Sequence, residues 1–499
     1  MSSNNEYLGK AANEASKTFI IKVISYVIAF LSQILFANML GSDLLGLYQT
    51  CMNIVMMLLM ISVFGMDSAN IRFISQHNNN GEKGKIKSYF WYSIKMTTIF
   101  SLICSLVLII FRSYIAENIF NESRLINILP VFGFVLITYS LIEVIGGYSR
   151  GIKSSSDYFL SQEFINKIVK VAIFVLLYLV NFRLFGLIIG TILGFIASLV
   201  YLFIRVRKSS SFLFNRDIHK EEIDKKQFWR YSFSMSVVYF TNYLMLYVNS
   251  TIVGMFLTSS EVGIYSNAQT LSSFIIFIYV SFNSIFVSMV SELYYNKEYE
   301  LLNKLYIDIT RIILVLSIPI VLVMVFYSKS ILSIFGGEFV GGSTALIILV
   351  IGQLANIIVG PNESLLSMSG NQRYSMMNGV VIAFVNISLN FILIPKVGIV
   401  GSAIAGAIAV FTGNLLKTIQ VKKVMNMVPY DKSIYKVVVV IVIDTIILIL
   451  SRMLFKDTFI MAAIVGVTVY IMSLLIYYKL GLTESELSLM QSLINKIKK

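Results

Sequence analysis

The chain has 499 residues, of which 57% are hydrophobic and 13% charged, and its mean hydropathy is +0.80. Soluble globular proteins average roughly 45–50% apolar and about 25% charged residues, so this composition excludes one and indicates an integral membrane protein. The formal net charge of +14 reads in such a chain as a positive-inside bias and an attraction to anionic lipid, not as a nucleic-acid interface.

Taken in order, the first apolar run, 18–40, is too long for a signal-peptide core and has no small-residue cleavage site before Gly41. It reads as a retained first span. Further runs lie at 45–66, 89–111, 126–148, 165–182 and 184–205. After a hydrophilic stretch, eight more follow at 230–257, 263–290, 307–327, 343–362, 375–394, 399–418, 434–454 and 457–478. These runs are continuous, not alternating, and a helix satisfies its own backbone in lipid, so the expected class is an all-α membrane protein of about 14 transmembrane helices. Lys and Arg concentrate on the side shared by both termini, which predicts an N-in, C-in topology. Cys51, Cys104, His77 and His219 are scattered, so neither a disulfide framework, a metal site nor a cofactor is expected.

The connection Leu40-Gly41-Ser42-Asp43-Leu44-Leu45-Gly46-Leu47-Tyr48 returns as Leu257-Thr258-Ser259-Ser260-Glu261-Val262-Gly263-Ile264-Tyr265. Ser149-Arg150-Gly151 is matched by Ser369-Gly370, and Phe185-Gly186 by Val400-Gly401, at nearly the same interval. Six spans separate the copies, so the repeats share one topology and are expected to be related by an axis along the membrane normal. This predicts two pseudo-symmetric six-helix lobes at 1–206 and 227–425. A cytoplasmic linker at 207–226 joins them, and two extra helices with a cytoplasmic tail occupy 426–499. Paired lobes of this kind place a substrate path between them and work by alternating access.

Ionisable groups within spans are costly and therefore mark function or an interface. Lys22, Lys95 and Arg311 lie near enough to the inner interface to snorkel or to line the path. Glu143 and Glu363 stand at matching distances before Gly151 and Gly370, each with a downstream cation, Arg150 or Arg373. They are candidates for gating or for coupling to a cation. Asp444 has no counterpart in the first repeat. Paired amides such as Gln353 with Asn356 and Asn386 with Asn390 read first as interhelical hydrogen bonds. Pro319 and Pro361 are candidate hinges. The glycine-rich stretch Gly146–Ser154 ends a membrane helix and has Ile152 before Lys153, so it is not a phosphate loop. Without an ATPase motif the drive falls to a gradient, with H+ or Na+ as the open choices of coupling ion. No catalytic constellation is found, so an enzyme is not expected.

Several motifs resemble those of the multidrug/oligosaccharidyl-lipid/polysaccharide exporter superfamily, and most of all its polysaccharide-repeat-unit flippases of the Wzx type. They are Leu40–Tyr48, Ala69-Asn70-Ile71-Arg72, Val262-Gly263-Ile264-Tyr265-Ser266-Asn267-Ala268, Phe335-Gly336-Gly337-Glu338-Phe339 and Gly398-Ile399-Val400-Gly401-Ser402-Ala403. The resemblance runs through essentially the whole chain. It implies a bacterial cytoplasmic-membrane flippase that moves undecaprenyl-pyrophosphate-linked oligosaccharide from the inner to the outer leaflet for O-antigen, capsule or exopolysaccharide assembly. It also implies membrane lipids as neighbours, and it leaves open a contact with a polysaccharide polymerase or glycosyltransferases. By resemblance Lys22, Arg72 and Arg311 are head-group candidates, and Lys95 joins them as a further cation within a span. Many relatives carry Asp where this chain has Asn249, which puts a carboxylate cation site there in question. The alternatives are a lipid II flippase and a cation-coupled drug exporter. A membrane-embedded glycosyltransferase is disfavoured because the outer loops are short.

Overall fold

The computed structural model describes residues 2–481, with the side chains of 2–17 and a few others set aside, and all regular structure in that range is helical. The tail expected beyond residue 481 lies outside the described residues. The helices are α1 (Ser2–Val63), α2 (Met66–Asn79), α3 (Lys83–Ile110), α4 (Leu125–Gly151), α5 (Asn166–Leu179) and α6 (Arg183–Ser209). They continue as α7 (Lys225–Leu246), α8 (Val248–Phe256), α9 (Ser259–Tyr295), α10 (Tyr299–Phe326), α11 (Ser343–Ile358) and α12 (Asn362–Met368). The last four are α13 (Gln372–Val397), α14 (Ile399–Met425), α15 (Tyr435–Leu454) and α16 (Phe459–Lys479).

Every apolar run expected from the sequence is occupied by helix. Among the described residues, ten helices are long and apolar enough to cross a membrane. The first of these, Ile24–Val63, spans two of the expected runs. They are divided at Gly41, whose φ of 74° and ψ of 177° interrupt an otherwise continuous helix. Only glycine takes that backbone without a Cβ penalty, so the repeat motif that opens with Leu40-Gly41 is the turn between spans. The expected runs at 165–182, 230–257 and 263–290 are also helical, although the first two are interrupted. A π-helical turn, Leu160–Ile165, precedes α5, and Tyr247 separates α7 from α8.

Contacts divide the chain between Val262 and Gly263. This differs from the division at 207–226 expected from the repeat, because α7 and α8 pack with the first unit. Trp229 Nε1 donates to Tyr92 Oη at 2.7 Å, Asn53 Nδ2 to Ser250 Oγ at 2.9 Å and Tyr243 Oη to Asn53 O at 3.3 Å. The charged linker is also tied down. Lys87 Nζ donates to the carbonyls of Asn215 (2.6 Å) and Ile218 (3.0 Å), Ser88 Oγ to Glu221 O (2.6 Å) and Trp91 Nε1 to Leu213 O (3.1 Å). Asp224 then caps α7 by accepting from Gln227 N at 2.9 Å, satisfying a donor left open at the helix start.

In the second unit, α15 and α16 pack on α10 through Tyr327, Leu448, Ala462, Val465 and Val469. Buried amides join neighbouring helices, as expected for polar groups in lipid. Asn414 Nδ2 donates to Asn356 Oδ1 (2.7 Å), Asn356 Nδ2 donates to Gln353 Oε1 on the same helix (2.8 Å), and Ser402 Oγ donates to Asn390 Oδ1 (2.8 Å). Buried Asp444 on α15 accepts from Ser473 Oγ of α16 at 2.9 and 2.7 Å. Of the two prolines proposed as hinges, Pro319 lies inside the uninterrupted α10, whereas Pro361 follows the Gly360 turn that separates α11 from α12.

Candidate functional site

Four groups of charged side chains stand out, three in the first unit and one in the second. The first is built where α2, α4 and α7 meet. Gly147 lets α4 approach α2 so closely that a Cβ there would overlap the backbone of Asp67. Arg150, on the last turn of α4, reaches Asp67 Oδ2 at 3.2 Å and lies 4.0 Å from Glu143 Oε2. Glu143 Oε1 accepts from Tyr158 Oη (2.8 Å) and from Gln162 Nε2 (3.3 Å), the latter presented by the π-helical turn before α5. From α7, Tyr239 Oη donates to Asp67 Oδ2 at 2.5 Å. The guanidinium of Arg150 also stacks over Tyr158, 4.6 Å from the ring centre. Sequence reading paired Glu143 with Arg150, and the structure brings them together. It missed Asp67, which sits among polar residues at the end of a span and becomes central only through Tyr239.

The second group comprises exposed cations in the same unit. Lys22 lies 4.2 Å above the ring of Phe159, and Arg72 lies 4.6 Å from the ring of Tyr231. Lys95 lines a cavity of about 610 Å³ with Trp91, Tyr92, Lys220 and Lys225, and with the acidic Glu221, Glu222 and Asp224. Among the described residues, no carboxylate lies within ion-pair distance of Lys22, Arg72 or Lys95. Cation–π contact orients a charge without neutralising it, so these groups remain available to an anion.

In the second unit the fourth head-group candidate stands differently. Arg311 is 2% exposed, is paired with Asp308 on its own helix and donates to Asp431 Oδ1 at 3.0 Å. It is the centre of an ion-pair triad in which Arg311 and Asp308 are buried and Asp431 is exposed, and its guanidinium is enclosed. Glu363 pairs with Lys417 of α14 at 3.0 Å, not with Arg373 as the repeat suggested. The turn at Gly370 places Arg373 on the next helix, where it is exposed. Asn249 is buried on α8, next to the Ser250 that accepts from Asn53.

At the opposite end of α4, Arg124 makes a bidentate pair with Asp43 (2.6 and 2.8 Å) and also holds Glu122 (2.8 and 2.7 Å). Ser259 donates to Glu122 at 2.8 Å, and Ser42 and Ser260 share a 2.6 Å hydrogen bond. The Arg124 guanidinium, with the Ser259 hydroxyl, lowers the Glu122 carboxyl to about 2. A carboxyl held below its unfolded value of about 4.3 stabilises fully above that value and loses the contribution as pH falls through its folded value. The contribution of Glu122 is therefore expected to be complete above about pH 4.3 and to be lost as pH falls from there to about 2. In Arg124→Gln the carboxyl returns toward its unfolded value, so the fall in melting temperature between about pH 4.3 and pH 2 should shrink, which pH-dependent melting of the two proteins would show.

The chain matches the model of the family described as polysaccharide biosynthesis protein over residues 12–286, and the MatE model over 235–392. It is 22% identical over 429 residues to stage V sporulation protein B of Bacillus subtilis, covering 81% of this chain and 82% of that one. It is 29% identical over 178 residues to a probable low-salt glycan biosynthesis flippase of Haloferax volcanii, covering 35% of this chain and 37% of that one. The fold is similar to that of the lipid II flippase MurJ in an inward closed conformation, with a TM-score of 0.72 and 19% identity over 93% of this chain and 98% of that one. With more than half its length inside one family model and a fold shared with these transporters, the chain belongs to the polysaccharide biosynthesis protein family, within the multidrug/oligosaccharidyl-lipid/polysaccharide exporter superfamily of multi-pass membrane proteins.

Proposed function

We propose that the protein is a flippase for an undecaprenyl-pyrophosphate-linked oligosaccharide repeat unit. It would work in the bacterial cytoplasmic membrane, N-in and C-in, and serve surface-polysaccharide assembly by alternating access. The observation that carries this reading is the pair of exposed cations Lys22 and Arg72, held against aromatic rings with no carboxylate at ion-pair distance among the described residues, with Lys95 a further exposed cation on the wall of a cavity of mixed charge. Pyrophosphate asks for this chemistry: Arg offers a planar fork and Lys a point charge to phosphate oxygens. The naming of a relative as a glycan biosynthesis flippase supports the same substrate class. Lipid-linked sugar units are made by glycosyltransferases and used by a polymerase, and those enzymes are the proposed neighbours in the membrane.

Deleting the gene and measuring surface polymer together with the inner-leaflet lipid-linked unit tests the reading. Loss of polymer with build-up of the unit, in viable cells, is the expected result. The triple variant Lys22→Gln/Arg72→Gln/Lys95→Gln should be produced normally and melt like the wild type, yet restore less than about a tenth of the polymer. Losing even one charge-assisted hydrogen bond, worth about 1.5–3 kcal/mol, is enough for that drop. The fold shared with a lipid II flippase favours one second reading, export of the peptidoglycan precursor. Lysis with accumulated precursor and intact surface polymer would select it.

A further inference from the structure

The first turn of α2 carries two oxygens that the fold leaves without donors. Asp67 Oδ2 accepts from Tyr239 and Arg150, while its Oδ1 is buried and has no hydrogen-bond partner. One turn on, Asn70 donates through Nδ2 to Ser93 Oγ (2.8 Å) and Val144 O (3.2 Å). Its own Oδ1 is also buried without a partner. Asp67 and Asn70 are 1% and 0% exposed, and three residues apart they share one face of the helix. Buried acceptors left in this state are costly and call for an explanation.

The local charge does not balance either. Asp67 and Glu143 share one guanidinium, that of Arg150, which leaves one negative charge in excess. The remaining titratable groups facing them among the described residues are the phenols of Tyr239 on α7, Tyr158 before α5 and Tyr139, one turn before Glu143 on α4. Next to Met66 and Asn70, α3 presents the hydroxyls of Thr97 and Ser93. Nearby Glu163 already pairs with Lys167 at 2.5 Å, and Lys22 lies beyond, over Phe159. A buried charge requires a counter-charge or a proton.

We propose that Asp67 and Asn70, with Glu143 completing the charge, form a binding site for one monovalent cation, either Na+ or a proton. Na+ would be held by oxygens alone, which the two unpartnered acceptors supply. A proton on Asp67 Oδ1 would turn an acceptor that lacks a donor into a donor. Either occupant cancels the excess charge. It also weakens the hold of Asp67 on Arg150 and Tyr239, and so the grip of α2 on α7. The use of that loosening to drive transport rests on the flippase reading, whereas the site itself does not.

The test is made on the purified full chain in lipid nanodiscs, without any substrate, so that it reads the site even if the transport reading fails. Melting temperature is followed while NaCl replaces choline chloride at constant ionic strength, between pH 5 and pH 9. A saturable rise of several degrees with Na+, absent in Asp67→Asn, supports a sodium site. A rise on acidification that ignores Na+ and is absent in Asp67→Asn supports a proton site. Asp67→Asn leaves Glu143 and Arg150 matched one to one, so it should fold and melt higher than the unoccupied wild type. Glu143→Gln provides the same neutralisation should that variant be poorly produced. Tyr239→Phe, which keeps both carboxylates, should retain the response. No dependence on either cation in the wild type, or an unchanged dependence in both neutralised variants, overturns the proposal.

Discussion

Arg311→Met is expected to lower stability by about 3–5 kcal/mol, the cost of removing one partner from a buried ion pair. Asp308 is 3% exposed and would be left charged beside Asp431, with the cation that serves both of them gone. In cells the result should be poor accumulation, and in purified protein a melting temperature lower by several degrees. Adding Asp308→Asn should recover much of the loss, because it removes the buried negative charge, whereas Asp431 is exposed and keeps its hydrogen bonds from Ser433. Arg72→Gln provides the contrast. Arg72 is exposed and rests on Tyr231, so melting should stay unchanged while transport falls. An Arg311→Met protein that melts like the wild type and is defective only in transport would return Arg311 to the head-group role that its position in the sequence suggested.

Gly65→Ala should also be severe. The chain leaves α1 with Phe64 and Gly65 both at positive φ, 49° and 69°. Alanine in that left-handed region costs about 1–2 kcal/mol. The new Cβ would also overlap the carbonyl oxygen of Ser232 and crowd Met235 and Ser236, all on α7, and overpacking costs about 1–3 kcal/mol more. Because the displaced element is α7, the hydrogen bonds from Tyr239 to Asp67 and from Trp229 to Tyr92 should be lost with it. The fluorescence of Trp229 should report this directly. A variant with wild-type melting and emission would show that α7 does not rest on this turn.

Spans were legible because a membrane helix declares itself in one uninterrupted run of apolar residues, and the turn at Gly41 declared itself because its motif occurs twice. Contacts between distant charged residues were not legible in the same way. Glu143 and Arg150 lie two helical turns apart, so their pairing could be read from spacing. Asp308 with Arg311 was just as local, yet Asp431, which decides whether Arg311 is open or enclosed, arrives from the connection before α15. Glu363 was matched with the nearest downstream cation, but the turn at Gly370 intervenes and Lys417 fills the place from another helix. Asp67 looked like an ordinary interface residue, since the partner that fixes it, Tyr239, is 172 positions away. The unit boundary shifted for a related reason. The repeat tells which segments are homologous, whereas packing decides with which neighbours they are buried.

The linker after α6 is held by Lys87, Ser88 and Trp91 through the carbonyls of residues 213, 215, 218 and 221, not through their side chains. Such contacts read the course of the main chain and ignore its spelling. Positions 215, 218 and 221 can therefore drift in amino-acid identity while the path of the linker stays constant, whereas the three positions on α3, together with buried Leu213 and with Phe214, whose ring meets that of Trp91 edge-on, cannot drift without releasing it.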